Sequence, residues 1–185
     1  MKVQPYTVFS RYLADDHVGI VFRLDNDLSL HRALEGVIIP NGTSWSKDGK
    51  TMYFTDSPTH SIKSYPFDLD TGEVSFTEGK AFFTIEDGVP DGHCQDEDGH
   101  LWVAGHSTGK VFRVNPQGKV VAIVELPTRC VTCPALCGTE LFITSMAEQN
   151  PEKYPESAKY QGAVFKVDVG VRGRPLHKFK MNVRA

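Results

Sequence analysis

No long apolar run, no cluster of basic residues and no convincing amphipathic helix occurs in this sequence of 185 residues. It therefore contains no candidate transmembrane helix, and no apolar segment follows Met1-Lys2 as it would in a secretory signal. The formal net charge is −3, which gives no electrostatic case for nucleic acid as a partner. We therefore predict a cytoplasmic protein that binds neither membranes nor nucleic acid.

Cysteine is scarce, with only four in the sequence, and three of them, Cys130, Cys133 and Cys137, form a C-x2-C-x3-C pattern. A structural zinc site needs four ligands, and neither a second cysteine pair nor a nearby histidine completes this one. Structural thiols are therefore favoured for these residues and for Cys94, with a metal or redox role as the alternative. The same facts favour a cytosolic compartment.

What the sequence does contain is a repeat with an offset of 50 residues. Asn41 and Asp91 are 50 positions apart, and so are the Asp-Gly pairs at 48–49 and 98–99. Each copy opens with a Pro-x-Gly segment whose middle residue carries a side-chain oxygen. Two oxygen ligands at matching places in successive repeats can point at one shared axis.

A second pattern extends this repeat along the chain. An aromatic residue is followed by a variable residue, an apolar residue and Asp or Asn, and the aromatic positions are separated by 43, 47 and 53 residues. Repeats of this length made of short strand-like segments are typical of propeller blades, and Gly-containing turns between the segments favour hairpins. The copies are Phe22-Arg23-Leu24-Asp25, Tyr65-Pro66-Phe67-Asp68, Phe112-Arg113-Val114-Asn115 and Phe165-Lys166-Val167-Asp168.

The sequence therefore predicts an all-β protein with a partial propeller of about four blades. Residues 1–18 show no blade pattern and stay unassigned, whereas residues 19–185 form the propeller region. We interpret residues 19–24 as the last strand of a blade whose earlier strands are absent, and residues 147–161 as an exposed loop. The chain is thus expected to be a truncated or shortened member of a larger propeller.

These motifs resemble the family of senescence marker protein 30, gluconolactonase and luciferin-regenerating enzyme. The resemblance runs from about Gly19 to Asp168 and involves several motifs in the family's order. They are Ile39-Pro40-Asn41-Gly42 with Trp45-Ser46, Tyr53-Phe54-Thr55-Asp56-Ser57, Val89-Pro90-Asp91-Gly92, Leu101-Trp102-Val103-Ala104 and Leu141-Phe142-Ile143-Thr144-Ser145.

The resemblance implies a six-bladed β-propeller with one divalent metal ion on its axis. By the family's pattern, Asn41 and Asp91 are metal ligands, Asp91 is also the candidate catalytic base, and the substrate is a small lactone. The family's third ligand, a Glu near the start of its first blade, has no counterpart here, nor has its blade with an Arg-x-Asn-Asp run that holds the substrate. The substrate-binding residues are therefore unknown.

An amide oxygen and a carboxylate suit hard cations, so Ca²⁺ is the expected ion, with Mg²⁺, Mn²⁺ or Zn²⁺ as alternatives. The sequence thus predicts a metal-dependent hydrolase of sugar lactones or related small esters, a lactonase. Pro-Asn-Gly and Pro-Asp-Gly are also ordinary turn sequences. The alternative function is therefore a non-catalytic, truncated propeller that acts as a binding module or self-associates through open blade edges.

Two further positions near these segments stay open. His93 follows Asp91 closely and either lines the propeller channel or is a partly buried strand histidine. Asp56 either contacts the substrate or accepts hydrogen bonds from turn amides, which is the favoured interpretation.

Overall fold

The computed structural model describes residues 3–4, 6–11, 19–176 and 178–179, and almost all regular structure in them is β. One α-helix, α1 (Pro155–Ala158), and two single 3₁₀ turns are present in these ranges, and none of these helices is long and apolar enough to cross a membrane. The strands are β1 (Val3–Gln4), β2 (Tyr6–Arg11), β3 (Gly19–Asp25), β4 (Leu30–Val37), β5 (Pro40–Trp45), β6 (Thr51–Asp56), β7 (Ser61–Pro66), β8 (Lys80–Thr84), β9 (Val89–Gln95), β10 (Leu101–His106), β11 (Lys110–Val114), β12 (Val120–Glu125), β13 (Val131–Cys137), β14 (Glu140–Ser145), β15 (Val164–Asp168) and β16 (Lys178–Phe179).

Four antiparallel sheets follow one another along the chain. The first sheet contains β2 to β4, the second β5 to β8, the third β9 to β12 and the fourth β13 to β15, each ordered as in the sequence. The short strands β1 and β16 form a separate parallel pair. This order of consecutive meanders confirms the prediction of an all-β partial propeller of about four blades.

The interpretation of residues 19–24 as a last strand is wrong. β3 lies in the middle of the first sheet, between β2 and β4. The aromatic repeat agrees with this position. Tyr65, Phe112 and Phe165 lie in the third strands of their sheets, and Phe22 of β3 is the corresponding residue of the first sheet. β3 is therefore equivalent to a third strand, and β4 is equivalent to a fourth. The first sheet therefore continues outward through β4, and β2 lies in the segment that the sequence left unassigned.

Three hydrophobic clusters hold consecutive sheets together. Neighbouring residues of β6 face opposite ways, so Met52 and Phe54 pack towards the first sheet whereas Tyr53 packs towards the third. In β10, Val103 faces the second sheet, and Trp102 faces the fourth. The second strands of the two central sheets are therefore buried on both faces, which makes the sheets behave as stacked blades.

The segment 147–161 is exposed over most of its length, as the sequence predicts, but Glu148 and Ser157 within it are buried. The Glu148 side chain is only 1% exposed. Its carboxylate accepts hydrogen bonds from Ser157 Oγ at 2.7 Å and from Arg129 Nη1 at 3.2 Å. The bond from Ser157 is the main reason that the pKa of Glu148 is lowered. Glu148 therefore fixes α1 to the start of β13.

We expect Glu148→Gln to lower the melting temperature at pH 7 by about 3–6 °C, because the charge-assisted bonds to a buried carboxylate are lost. A group with a lowered pKa in the folded state stabilises the fold above its unfolded pKa, and this contribution disappears as the pH falls through the folded pKa. The difference between wild type and variant should thus shrink towards pH 3.

Thermal denaturation followed by circular dichroism measures this effect. Glu156→Gln is the matched control, because the pair of Glu156 with Lys159 is solvent-exposed and contributes little. Equal losses in the two variants, or a Glu148→Gln loss that does not change with pH, would contradict the anchoring role.

Candidate metal centre

The two predicted ligands lie on the first strands of neighbouring sheets. Asn41 is the second residue of β5, and Asp91 is the third residue of β9. These two strands lie against each other across the interface between the second and third sheets. The Asn41 side chain lies close enough to the Asp91 carboxylate to act, through hydrogen bonding, towards a lower pKa of that group. The structure therefore brings the two residues together, while their role as ligands stays a prediction.

Both Pro-x-Gly segments lie within strands, and each forms a β-bulge instead of a turn. Between Pro40 and Thr43 the register of β5 against β6 shifts, and Asn41 lies in this shift. The register of β9 shifts in the same way between Pro90 and His93, which contains Asp91. A bulge turns a side chain away from the regular alternation of the strand. The shared 50-residue register thus corresponds to two equivalent bulges.

The glycines of these segments are needed because the strands approach closely. A Cβ atom at Gly42 would lie 2.8 Å from the carbonyl oxygen of Asp91 and would clash with the His93 ring. A Cβ atom at Gly92 would lie 2.6 Å from Cys133 Sγ of the fourth sheet. Neither glycine has a positive φ. The absence of a side chain at both glycines therefore leaves space for β5, β9 and β13, the first strands of the second, third and fourth sheets, to approach one another closely.

The carboxyl group of Asp91 is in an unfavourable environment for a charge. Burial raises its pKa to about 6, although hydrogen bonds from Asn41 and the Gly92 amide act in the opposite direction. No cationic side chain of the described residues contributes to this balance. A partly buried carboxylate without a cationic partner is costly, and a bound divalent ion would remove that cost. The donor chemistry at this position therefore fits a metal ion.

Ser57 orients the Asn41 amide. It is only 4% exposed and follows β6 directly. The Asn41 Nδ2 amide donates to Ser57 Oγ at 3.2 Å. Its neighbour Asp56 accepts hydrogen bonds from the backbone amides of Ile38 at 3.2 Å and Ile39 at 2.8 Å. The favoured interpretation of Asp56 as a residue that satisfies backbone amides therefore agrees with its contacts.

No group of three His, Cys, Asp or Glu side chains that includes Asp91 is found among the described residues. One cluster of metal-ligating types does occur, formed by Asp96, Asp98 and His100. Its central carboxylate is already fully used, because Asp96 accepts bonds from the backbone amides of Asp98 and His100 and from the side chains of Trp102 and Arg113. We therefore interpret this cluster as a structural turn.

His93 is buried, with 8% of its surface exposed, so the strand interpretation of this residue is the one that agrees with the structure. Burial lowers its pKa to about 4, which leaves the imidazole neutral at pH 7. Its Nε2 atom lies 2.9 Å from Ser44 Oγ on β5. Sequence reasoning missed this pair. The 50-residue repeat was the available signal. It aligns Ser44 of β5 with the residue that directly follows His93 in β9, and so places the two side chains at neighbouring positions of equivalent strands.

The comparisons with known proteins agree with this fold. The family model described as SMP-30/Gluconolactonase/LRE-like region matches residues 8–147, and the chain belongs to this family. Regucalcin of Gallus gallus is 32% identical over 166 residues, which cover 87% of this chain and 56% of that protein. The chain thus spans little more than half the length of that relative.

Two solved structures extend the comparison. One is a calcium-binding protein, regucalcin, of Agrobacterium tumefaciens, with a TM-score of 0.84 and 26% identity over 96% of this chain and 63% of that chain. The other is a gluconolactonase of Xanthomonas campestris, with a TM-score of 0.60 and 28% identity over 69% of this chain and 41% of that chain. The fold and the arrangement of its sheets are therefore those of this family.

The raised pKa of Asp91 predicts a specific pH dependence of stability in the presence of chelator. A carboxyl group whose pKa is raised on folding stabilises the fold fully below its unfolded pKa of 3.8, and this contribution is lost as the pH rises through about 6. Asp91→Asn mimics the neutral acid. We expect this variant to melt about 3 °C above wild type at pH 7, after allowing for solvent screening, and at the same temperature near pH 3.

Calorimetric melting curves recorded with chelator measure this pH dependence, and curves recorded with Ca²⁺ measure the stabilisation by the ion. Ca²⁺ should raise the melting temperature of the wild type but not that of Asp91→Asn, because only the wild type offers a carboxylate. A lower melting temperature for Asp91→Asn at pH 7 in chelator would contradict the assignment of an uncompensated charge to Asp91.

Proposed function

We propose that this chain hydrolyses sugar lactones or related small esters with the help of one divalent ion held by Asn41 and Asp91. The observation that carries the proposal is the pair of equivalent bulges on β5 and β9, which places an amide and a partly buried carboxylate in contact. Membership of a family whose description includes gluconolactonase supports a lactone as the substrate class.

Ca²⁺ is the proposed ion. Carboxylate and amide oxygens are ligands that Ca²⁺ accepts readily in flexible geometries, and Mg²⁺, Mn²⁺ and Zn²⁺ are the alternatives. The description of the Agrobacterium tumefaciens regucalcin as a calcium-binding protein supports this choice. When bound, the ion would polarise the lactone carbonyl and lower the pKa of a bound water molecule.

The residues of the chain itself supply orientation and proton transfer. Ser57 accepts a hydrogen bond from the Asn41 amide and so limits its rotation. We assign the role of general base to Asp91, because one of its carboxylate oxygens could hold the ion while the other accepts a proton from the attacking water. The same carboxyl group then returns the proton to the alkoxide that leaves when the ring opens.

Lactone hydrolysis by the purified chain tests this proposal. A pH indicator follows the acid released, with Ca²⁺, Mg²⁺, Mn²⁺ or Zn²⁺ added and with chelator. We expect metal-dependent turnover that falls at least about 100-fold in Asp91→Ala, because the base and a ligand are lost together. Asp70→Ala is the matched control, since Asp70 is exposed in the hairpin between β7 and β8 and should leave turnover unchanged.

Full turnover in Asp91→Ala, or turnover that chelator does not reduce, would contradict the assignment of Asp91. Absence of turnover by the unmodified chain with every ion would favour the second candidate function.

The second candidate is a non-catalytic partial propeller that self-associates. Within the described part of the chain, each hydrophobic cluster joins consecutive sheets, and none joins the fourth sheet to the first. On the fourth sheet, Val164 is 65% exposed, and Ala135 and Cys137 are exposed as well. Apolar blade faces of this kind favour association.

Light scattering coupled to size-exclusion chromatography measures the mass in solution. If the exposed faces pair, a species of at least twice the 20.6 kDa of one chain is expected, and Val164→Glu should return it to a monomer because it places a charge in the contact. Glu156→Lys, an exposed charge change on α1, is the control. A monomer at high concentration would rule out this mode of association.

A further inference from the structure

A second polar link joins β5 and β9 close to the candidate metal centre. Ser44 of β5 and His93 of β9 are 2.9 Å apart, measured from Oγ to Nε2. Ser44 lies three residues after Asn41, and His93 lies two residues after Asp91. At about 3.3 Å per residue along a strand, this pair is about 7–10 Å from the two candidate ligands.

The imidazole of His93 fills the space beside the bulge of β5. Its Nδ1 and Cε1 atoms lie against Gly42, where any Cβ would collide with the ring. The Nδ1 atom is buried and has no hydrogen-bond partner among the described residues. The hydrogen bond to Ser44 is therefore the interaction that fixes the ring within the described part of the chain.

The link continues away from the metal centre towards the C-terminal part of the chain. Gln95 Nε2 donates to Ser44 Oγ at 3.4 Å. Arg174 Nη1 donates to Gln95 Oε1 at 2.8 Å and to the carbonyl oxygen of Trp45 at 2.7 Å. Polar contacts thus cross the interface between β5 and β9 along its whole length, from Asn41 and Asp91 to Arg174.

Directional contacts matter at this interface because β5 and β9 belong to different sheets. No ladder of backbone hydrogen bonds fixes their register, and apolar packing alone tolerates small sliding movements. A hydrogen bond between a buried ring and a hydroxyl group tolerates much less, because its strength falls steeply with distance and angle. The Ser44–His93 contact therefore restricts the sliding of β5 along β9.

We propose that Ser44 and His93 form a positioning pair that sets the separation of Asn41 and Asp91 and thereby the affinity for the divalent ion. This inference rests on the proposed function. It assigns no proton transfer to His93, which lies beside the centre and acts through the strands that carry the ligands.

Ser44→Ala tests the pair, with Ca²⁺ affinity measured by isothermal titration calorimetry. Loss of an interaction that orients metal ligands typically weakens binding at least tenfold, so we expect a loss of about tenfold. Ser44→Thr keeps the hydroxyl group and should bind within about twofold of wild type. His93→Gln removes the ring and should weaken binding at least as much as Ser44→Ala, which provides a second variant if one of them folds poorly.

The control is Ser46→Ala. Ser46 follows the same strand, and its hydroxyl group donates to Asp48 at 2.6 Å, away from the ligands. Melting in chelator separates stability from affinity. We expect Ser44→Ala and Ser46→Ala to lose similar melting temperature, whereas only Ser44→Ala loses Ca²⁺ affinity.

Three outcomes would overturn the positioning pair without affecting the proposed function. They are wild-type Ca²⁺ affinity in Ser44→Ala, an equal loss of affinity in Ser46→Ala, and a loss in Ser44→Thr as large as that in Ser44→Ala. Failure of the unmodified chain to bind any divalent ion would overturn the proposed function and this inference together.

Discussion

The close approach of β5 to β9 is the constraint on which the candidate site depends. Because Gly42 has no side chain, the carbonyl of Asp91 and the ring of His93 can both reach the backbone of β5. The bulges at this place then direct Asn41 and Asp91 towards each other. A larger residue at Gly42 would separate the strands, and with them the two oxygen side chains that define the site.

This arrangement is possible only because packing elsewhere is extensive. The desolvated carboxylate of Asp91 opposes folding, and the hydrogen bonds from Asn41 and Gly92 offset it only in part. The doubly buried strands β6 and β10 hold the second and third sheets in place on both faces. Stability therefore comes from the interfaces between blades, and the inner strands can retain an unfavourable charge where a metal ion would bind.

The sequence predicted the blade pattern and the pairing of Asn41 with Asp91, because both follow from spacing along the chain. It could not distinguish a turn from a bulge at Pro-x-Gly, since a bulge exists only relative to the partner strand. It also missed the buried Glu148, whose partner Arg129 lies 19 residues away, and the pair of Ser44 and His93, which are 49 residues apart. The contact of Ser44 with His93 depends on the stacking of two sheets, and that of Glu148 with Arg129 on the return of the chain after β14, and local sequence patterns encode neither.

The comparison of Asp91 with Asp96 shows what a count of ligating residues leaves out. Asp96 has Asp98 and His100 beside it, so its surroundings contain more metal-ligating side chains than those of Asp91. Yet its carboxylate already accepts four hydrogen bonds, two of them from backbone amides, and Arg113 balances its charge. Asp91 has no cationic partner among the described residues and receives fewer bonds. The capacity to bind a cation depends on unsatisfied charge and free lone pairs, and this criterion is the reason that we propose the metal site at Asp91 and not at Asp96.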